Sequence, residues 1–194
     1  MVGEEVIRFD DVHLGFAERE ILCGVSFVVH RGETLALLGV TGAGKTLILK
    51  LALGLLKPDA GRIRVFDTDI TRLAEEELFP LRERLGIVFQ ESALFDSLTV
   101  FENVAYRLLE ERAHGKKDYT DAQIEARVRQ VLRFVELEAA IDKLPAELSG
   151  GMKRRVGIAR ALATDPPVIL YDSPTGGLDP VTAHTIMALI IKSR

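Results

Sequence analysis

The segment GVTGAGKT, residues 39–46, decides the fold class of this chain. Its spacing is G-x-x-x-x-G-K-[ST], and it lies between an apolar run, TLALL at residues 34–38, and a helical pattern over residues 45–56. Glycines let successive backbone N–H groups turn inward around an anion, and the following helix adds the positive end of its dipole. We therefore interpret the segment as a phosphate-binding loop, the alternative being a glycine-rich turn without a ligand.

Side chains of this loop, and one beyond it, have chemistry suited to a nucleotide. Lys45 can reach the β- and γ-phosphates of ATP, and the Thr46 hydroxyl can bind Mg²⁺. Asp172 follows the apolar run VILY, residues 168–171, so we expect it at the carboxyl edge of a sheet, where ligands bind in open α/β folds. Alone it would be an ordinary strand-terminal aspartate. In a chain with a phosphate-binding loop it indicates a second ligand for Mg²⁺.

The hydrophobic pattern predicts an α/β domain. Short alternating pieces over residues 5–30 indicate antiparallel strands. Residues 99–160 are helical in pattern, with Thr120 or Asp121 capping an amphipathic helix. We predict a mostly parallel sheet, an antiparallel N-terminal β subdomain and an inserted α-helical subdomain. The other predicted elements are strands at residues 34–38, 62–66, 85–89 and 168–172 and helices at residues 45–56 and 183–192.

The composition argues against several other classes of function. The net charge of -4 argues against a nucleic-acid partner, which usually meets a basic surface. A single cysteine forms no internal disulfide, and four scattered histidines suggest no metal cluster. We expect no signal peptide, and no apolar run reaches the roughly 20 residues that a membrane helix needs. A membrane function would therefore require docking on a partner.

Further motifs resemble one family, the ATP-binding cassette (ABC) ATPases. LSGG at residues 148–151 resembles the family's signature, and YDSPTGGLDP at residues 171–180 resembles its Walker B segment and D-loop. Phe89-Gln90 resembles its Q-loop. The resemblance covers essentially the whole chain. It implies one ABC domain over residues 1–194, with a P-loop NTPase (RecA-like) core at 1–90 and 161–194 and a helical signature subdomain at 91–160.

The resemblance also assigns roles to single residues. It implies magnesium ligands at Thr46, Gln90 and Asp172, and hydrolytic roles for Lys45, Gln90 and the residue at position 173, which is Ser173. Signature residues would bind the ATP of a second, head-to-tail subunit. The nucleotide-binding set is Phe16, as an adenine-stacking ring, with Gly39, Val40, Thr41, Gly42, Ala43, Gly44, Lys45, Thr46, Leu47, Ser149, Gly150 and Gly151.

Alternatives stay open for some of these residues. Phe16 could be a core or strand-edge phenylalanine, and Ser149 could simply cap a helix. The basic run at residues 153–155 is interpreted as a solvated helix face.

Three positions depart from the family's pattern. Ser173 stands where most members have the catalytic glutamate, and loss of a positioned acid–base group typically costs about 10²–10⁴ in rate. Leu47 stands where many members have a second hydroxyl, although its backbone amide could still serve. The family's switch histidine, on a strand after the D-loop helix, has no counterpart before Arg194, so we expect that the C-terminal part of the fold is missing.

A weaker resemblance concerns the subfamily. ALFDSLTV, within residues 89–108, and Met152 are similar to the ATPases of Mla-type phospholipid transporters. This implies a homodimer at the cytoplasmic face of the inner membrane, a transmembrane permease and an MCE lipid-binding protein. The alternative is a module that dimerises on ATP with little hydrolysis. The groove for the permease would be lined by Leu94, Phe95, Leu98, Val100 and Phe101.

Overall fold

The computed structural model describes residues 3–17 and 19–193 of the 194-residue chain. The chain forms two compact units, one extending to Leu85 and one over Gly86–Ser193.

The first unit is built on a four-stranded antiparallel sheet in the order β2-β1-β3-β4. β1 and β2 form a long hairpin in which Phe9 pairs with Phe27 and Leu14 pairs with Leu22. The strands are β1 (Glu5–Phe16), β2 (Arg19–His30), β3 (Ala60–Val65) and β4 (Thr68–Asp69). The predicted antiparallel N-terminal subdomain is therefore present, and β3 extends it.

Two helices complete the first unit, α1 (Lys45–Ala52) and α2 (Glu75–Arg82). Arg82 donates from Nε to the carbonyl oxygen of Leu53 at 2.8 Å, which ties the end of α2 to the end of α1. Gly54 has a φ of 66°, and a β-carbon there would lie 2.7 Å from the side chain of Leu78. Only glycine therefore allows this close approach of α2.

The prediction of a buried strand over residues 34–38 is wrong for this structure. These residues, all of them described, have no strand assignment, and Leu38 is 92% exposed. An apolar run becomes a strand only when a neighbouring strand accepts and donates its backbone hydrogen bonds. The sheet formed by β1 to β4 offers residues 34–38 no such ladder.

The second unit is mainly helical around a two-stranded sheet of β5 and β6. Its core contains residues of all four helices, and residues of β5 and β6 pack with them. Val104, Val128, Leu132 and Ile158 are fully buried in this core. Its elements are β5 (Leu85–Val88), which begins at the boundary, α3 (Val100–Ala113), α4 (Asp121–Phe134), 3₁₀ turns at Glu138–Ala140 and Pro145–Glu147, α5 (Gly150–Leu162), β6 (Val168–Tyr171) and α6 (Pro180–Lys192).

Local sequence explains where these helices begin. Thr99 and Thr120 cap α3 and α4 by accepting from the amides of Glu102 and Gln123, whose side chains bond back to the caps. The cap of α4 is thus Thr120, one of the two predicted residues. Asp179 caps α6, and Pro180 occupies the first helical position, where a missing N–H costs nothing.

A buried asparagine organises the segment before α3. Asn103, fully buried, accepts at Oδ1 from the amide of Phe95 at 2.8 Å. Its Nδ2 donates to the carbonyl oxygens of Phe95, Leu98 and Thr99 at 2.9–3.1 Å. The two N–H bonds of one side chain are shared among three carbonyls, and the side chain fixes residues 95–99 against the first turn of α3.

Candidate functional site

The phosphate-binding loop requires glycine at its last position before α1. Gly44 has a φ of 86°, in the left-handed region that favours glycine. A β-carbon on it would also lie 2.8 Å from Cδ2 of Leu22 and 3.1 Å from Cγ2 of Ile21, both on β2. The loop therefore packs its backbone directly on β2, and α1 begins immediately afterwards at Lys45.

Lys45 lies across the loop that it follows. Its Nζ donates to the carbonyl oxygens of Gly39 and Val40, each at 2.8 Å. The ammonium group is thus held by the carbonyl oxygens at the start of the loop. Thr46, the next residue, is exposed, whereas Leu47 is partly buried. The hydroxyl, the ammonium and the amides at the start of α1 are therefore grouped at one end of that helix.

Phe16 lies at the end of β1 on the same unit. It pairs with Arg19 on β2, three residues before Leu22, a side chain on which Gly44 packs. Its ring is 49% exposed, so it is not a core residue. An exposed aromatic ring in this part of the β1–β2 hairpin could stack on the adenine base of a nucleotide.

In the second unit, Gln90 and Asp172 lie at one edge of the β5–β6 sheet. The amide of Asp172 donates to the carbonyl oxygen of Val88 at 2.8 Å, so both strands end at the same edge, as parallel strands do. Gln90 follows β5, and its Nε2 lies 3.5 Å from where a β-carbon on Gly176 would be. Gln90 thus reaches the turn that follows Asp172.

That turn, residues 173–176, has an unusual backbone. Ser173 has a φ of 47°, which L-residues other than glycine rarely adopt. Its carbonyl oxygen accepts from the amide of Gly176 at 3.0 Å and from Nη1 of Arg154 at 3.2 Å. Nη2 of Arg154 donates to the carbonyl oxygen of Gly176 at 3.1 Å. A guanidinium on α5 therefore spans the turn.

The interpretation of residues 153–155 as a solvated face is wrong for Arg154. Arg154 is only 6% exposed, and burial lowers the pKa of its guanidinium, against an opposing effect of Glu91. Its neighbour Arg155 donates instead to the carbonyl oxygen of Val135 at 3.0 Å. The missed signal is periodicity, because Ile158 and Ala161 are four and seven residues beyond Arg154 and share its buried face.

The signature residues surround the N-terminus of α5. Ser149 caps the helix, its Oγ accepting from the amide of Met152 at 3.3 Å. Gly150 has nothing within 4 Å of its β-carbon position, whereas at Gly151 a β-carbon would lie 2.6 Å from Cγ2 of Thr182 on α6. The two glycines therefore differ in role: Gly150 leaves open space, and Gly151 lets α5 approach α6.

Part of the predicted permease groove is exposed. Phe95 is 44% exposed and packs against Tyr106, with 4.8 Å between the ring centroids. Val100 is fully buried in the core, so it does not line a surface groove. Leu94 and Phe101 pack partly against that core.

The described residues contain neither a membrane-spanning helix nor a side-chain cluster typical of a metal site. No helix in residues 3–17 and 19–193 is long and apolar enough to span a bilayer. Over the same residues, no group of three or more His, Cys, Asp or Glu side chains converges as a metal site. The predicted magnesium ligands instead include a hydroxyl and an amide, oxygen donors that Mg²⁺ accepts alongside a carboxylate. They lie on Thr46 of the first unit and on Gln90 and Asp172 of the second, and their common role stays a prediction.

A cassette ATPase is the class that these features define, and the comparison with protein families agrees. Residues 22–176 match the family model described as ABC transporter, so this chain belongs to the ABC transporter family.

The chain is similar in sequence to curated proteins that carry different names. The chain is 40% identical over 196 residues to the methionine import ATP-binding protein MetN of Bifidobacterium longum, covering 97% of this chain and 47% of that protein. It is 43% identical over 199 residues to the chloroplastic protein TRIGALACTOSYLDIACYLGLYCEROL 3 of Arabidopsis thaliana, covering 98% of this chain and 55% of that protein. The chain thus spans about half the length of these curated relatives.

The fold also matches solved structures. The dimeric ATP-binding cassette MJ0796, in a post-hydrolysis state bound to ADP and Pi, superposes with a TM-score of 0.84 at 32% identity. The match covers 96% of this chain and 82% of that one. The predicted fold class, an ABC ATPase with an antiparallel β subdomain and a helical subdomain, is confirmed.

Proposed function

We propose that this chain is the ATP-binding and ATP-hydrolysing subunit of an ABC transporter, which powers transport through a separate permease. The observation that carries the proposal is the arrangement around Lys45. The ammonium lies across a loop whose last glycine has a positive φ and packs on β2. Such a loop with a lysine at the start of its helix binds the phosphates of a nucleotide. Mg²⁺, bound with the ATP through Thr46, Gln90 and Asp172, would neutralise charge that develops on the phosphates.

A second copy of the chain is the proposed partner for the signature residues. Ser149 and Gly150 lie at the N-terminus of α5, where backbone amides favour an anion, and the surface at Gly150 is open. A γ-phosphate from the other subunit's ATP suits this end of the helix. The similar cassette MJ0796 is described as dimeric, which agrees with this proposal.

Hydrolysis is the part of the proposal in which Ser173 matters most. A serine hydroxyl is not a base near neutral pH, so we propose slow turnover and long-lived ATP-bound dimers. The second candidate function follows from the same residue. If hydrolysis is negligible, the chain acts as an ATP-dependent dimerisation module.

The proposed cargo is a lipid. The Mla-type resemblance supports this. So does the relative TRIGALACTOSYLDIACYLGLYCEROL 3, whose name is that of a galactose-bearing lipid. In that setting the protein is peripheral, held at the cytoplasmic face of the inner membrane by its permease, with an MCE lipid-binding protein as a further partner. Methionine is the second candidate, because other relatives are methionine import proteins.

MgATP binding and turnover test the ATPase proposal. Lys45→Met should abolish binding or weaken it strongly, because the phosphates lose their ammonium partner. Lys50→Met is the matched control, since Lys50 is an exposed lysine later on the same helix. Equal ATP affinity for the two variants would refute the proposed role of the loop. Binding without turnover in the complete protein with its permease would favour the dimerisation module.

Phe16 can be tested separately from the phosphates. If its ring stacks on adenine, Phe16→Ala should lose about 1–3 kcal/mol of ATP binding, roughly 5- to 150-fold in affinity. Inorganic tripolyphosphate has no base and should bind both forms alike. A parallel loss for both ligands would show a structural effect instead of stacking.

The cargo is tested with the complete protein copurified with its permease in lipid nanodiscs. If lipid is the cargo, removal of the MCE partner should change the ATPase rate and L-methionine should not. Stimulation by L-methionine alone would replace the lipid proposal with amino-acid import.

A further inference from the structure

Arg154 is a buried cation whose partners are backbone carbonyls. It lies on α5, five residues beyond the cap Ser149, and its two Nη atoms donate to Ser173 and Gly176. Its Nε has no hydrogen-bond partner among the described residues. Burying a guanidinium on neutral acceptors, with one donor unsatisfied, is unfavourable for stability. A stability role alone therefore does not explain the residue.

The turn that Arg154 spans needs an external constraint. Ser173 has a φ of 47°, and such strained backbone persists only where its surroundings hold it. The same carbonyl oxygen of Ser173 accepts from Gly176 within the turn and from Arg154 outside it. The two carbonyls that bind the guanidinium are three residues apart, so a planar fork with two donors fixes the span of the turn.

The same helix repeats this arrangement six residues later. Arg160 donates to the carbonyl oxygens of Ser92 and Ala93 at 2.7 and 2.8 Å. Both of these residues also have positive φ values, 63° and 44°. α5 therefore carries one buried and one partly buried arginine, and each one holds carbonyls in a strained segment that follows one of the two strands.

We propose that Arg154 is a positioning residue that holds the turn after Asp172 in its strained conformation, so that Asp172 and position 173 keep a fixed geometry for ATP hydrolysis. The effect on rate rests on the proposed ATPase function. The effect on the turn itself does not, because it concerns only contacts within the second unit. Arg154 acts through the backbone and contacts neither nucleotide nor water in this role.

Backbone amide exchange tests the turn without any nucleotide. In Arg154→Met, the amide of Gly176, which donates to Ser173, should exchange on the order of 10-fold faster or more. Global unfolding should change little, because an apolar side chain in a buried site avoids the desolvation of the cation. In Arg154→Lys, the exchange rate of the Gly176 amide should lie between those of the wild type and Arg154→Met, since an ammonium lacks the planar fork. This milder variant serves if the methionine variant does not fold.

Arg160→Met is the matched control. It should speed exchange at Ser92, whose amide donates to Phe89, and leave Gly176 at the wild-type rate. The reverse pattern is expected for Arg154→Met. Unchanged exchange at Gly176 in a folded Arg154 variant would overturn the proposal, and so would equal loosening of both segments by either variant.

The rate is tested in the complete protein with its permease. Arg154→Met should lower kcat for MgATP on the order of 10- to 100-fold, because small misplacements of catalytic groups are costly. The KM for ATP should stay within about twofold, since the phosphate-binding loop is unchanged. A rise in KM at constant kcat would contradict the positioning role. If the wild type neither binds nor hydrolyses ATP, the proposed function fails, and the exchange result alone decides the role of Arg154.

Discussion

Gly151 on α5 and Thr182 on α6 approach so closely that a β-carbon on the glycine would lie 2.6 Å from Cγ2 of the threonine. No ordinary contact is that short, so Gly151→Ala must push the two helices apart or force Thr182 off its rotamer. We expect a loss of about 1–3 kcal/mol in the free energy of unfolding, typical of overpacking. Urea denaturation measures it.

Two further variants separate this clash from the general effect of alanine. Gly150→Ala places its β-carbon in open space and should be neutral or slightly stabilising. Thr182→Ser removes Cγ2 but keeps the hydroxyl that donates to Asp179, so it should restore most of the stability of Gly151→Ala. If the double variant is no more stable than Gly151→Ala alone, the clash is not the cause.

The cap of α6 should make stability depend on pH. The Thr182 hydroxyl and the first amides of α6 donate to Asp179 and lower the pKa of its carboxyl from the ordinary 3.8. A folded-state pKa below the unfolded one means that the stabilisation is complete above about pH 4 and is lost as the pH falls through the folded value. Asp179→Asn keeps an oxygen acceptor but not the charge.

Unfolding of the wild type and of Asp179→Asn should therefore be compared between pH 7 and pH 2. The wild type should be the more stable form at pH 7, and the difference should shrink below about pH 4. A difference that stays constant with pH would mean that the carboxylate charge contributes nothing.

Ser173→Glu should raise MgATP turnover in the complete protein. A carboxylate at this position could polarise the attacking water, and an acid–base group of this kind is typically worth about 10²–10⁴ in rate. Ser173→Gln is the matched control, because it has nearly the same shape without the charge. Equal rates for the two variants would refute our account of slow turnover.

Phe95→Asp should weaken copurification with the permease. The ring is exposed beside Tyr106, so the charged side chain alters the surface and not the core. Phe79→Asp is the comparison, since Phe79 is 54% exposed on α2 of the other unit. Equal recovery of the permease with both variants would remove Phe95 from the proposed docking surface.

Local rules predicted much of this fold. The Thr120 cap, the start of α1 after Gly44 and the strands at residues 85–88 and 168–171 follow from spacing and from side-chain chemistry that act over a few residues. The strand expected at residues 34–38 was wrong because a strand depends on a partner that is distant in sequence.

For the candidate site, the sequence predicted which residues lie near one another, and their roles toward ATP stay predictions. Lys45 lies beside the loop because the members of this motif are adjacent in sequence, although its contacts with the loop carbonyls were not predicted. The role of Arg154 was missed because its acceptors, Ser173 and Gly176, lie far along the chain. Its place on the buried face of α5 could have been found from the helical period. The positive φ of Ser173 has no sequence signal, since serine rarely adopts it.

Asn103 has a mechanical consequence for the segment that precedes α3. Four hydrogen bonds join its amide to the backbone of Phe95, Leu98 and Thr99, so residues 95–99 have few independent degrees of freedom. We therefore expect a partner that binds the exposed ring of Phe95 to act on the first turn of α3 as well as on the segment itself. In this unit the segment and the first turn of α3 are expected to move together.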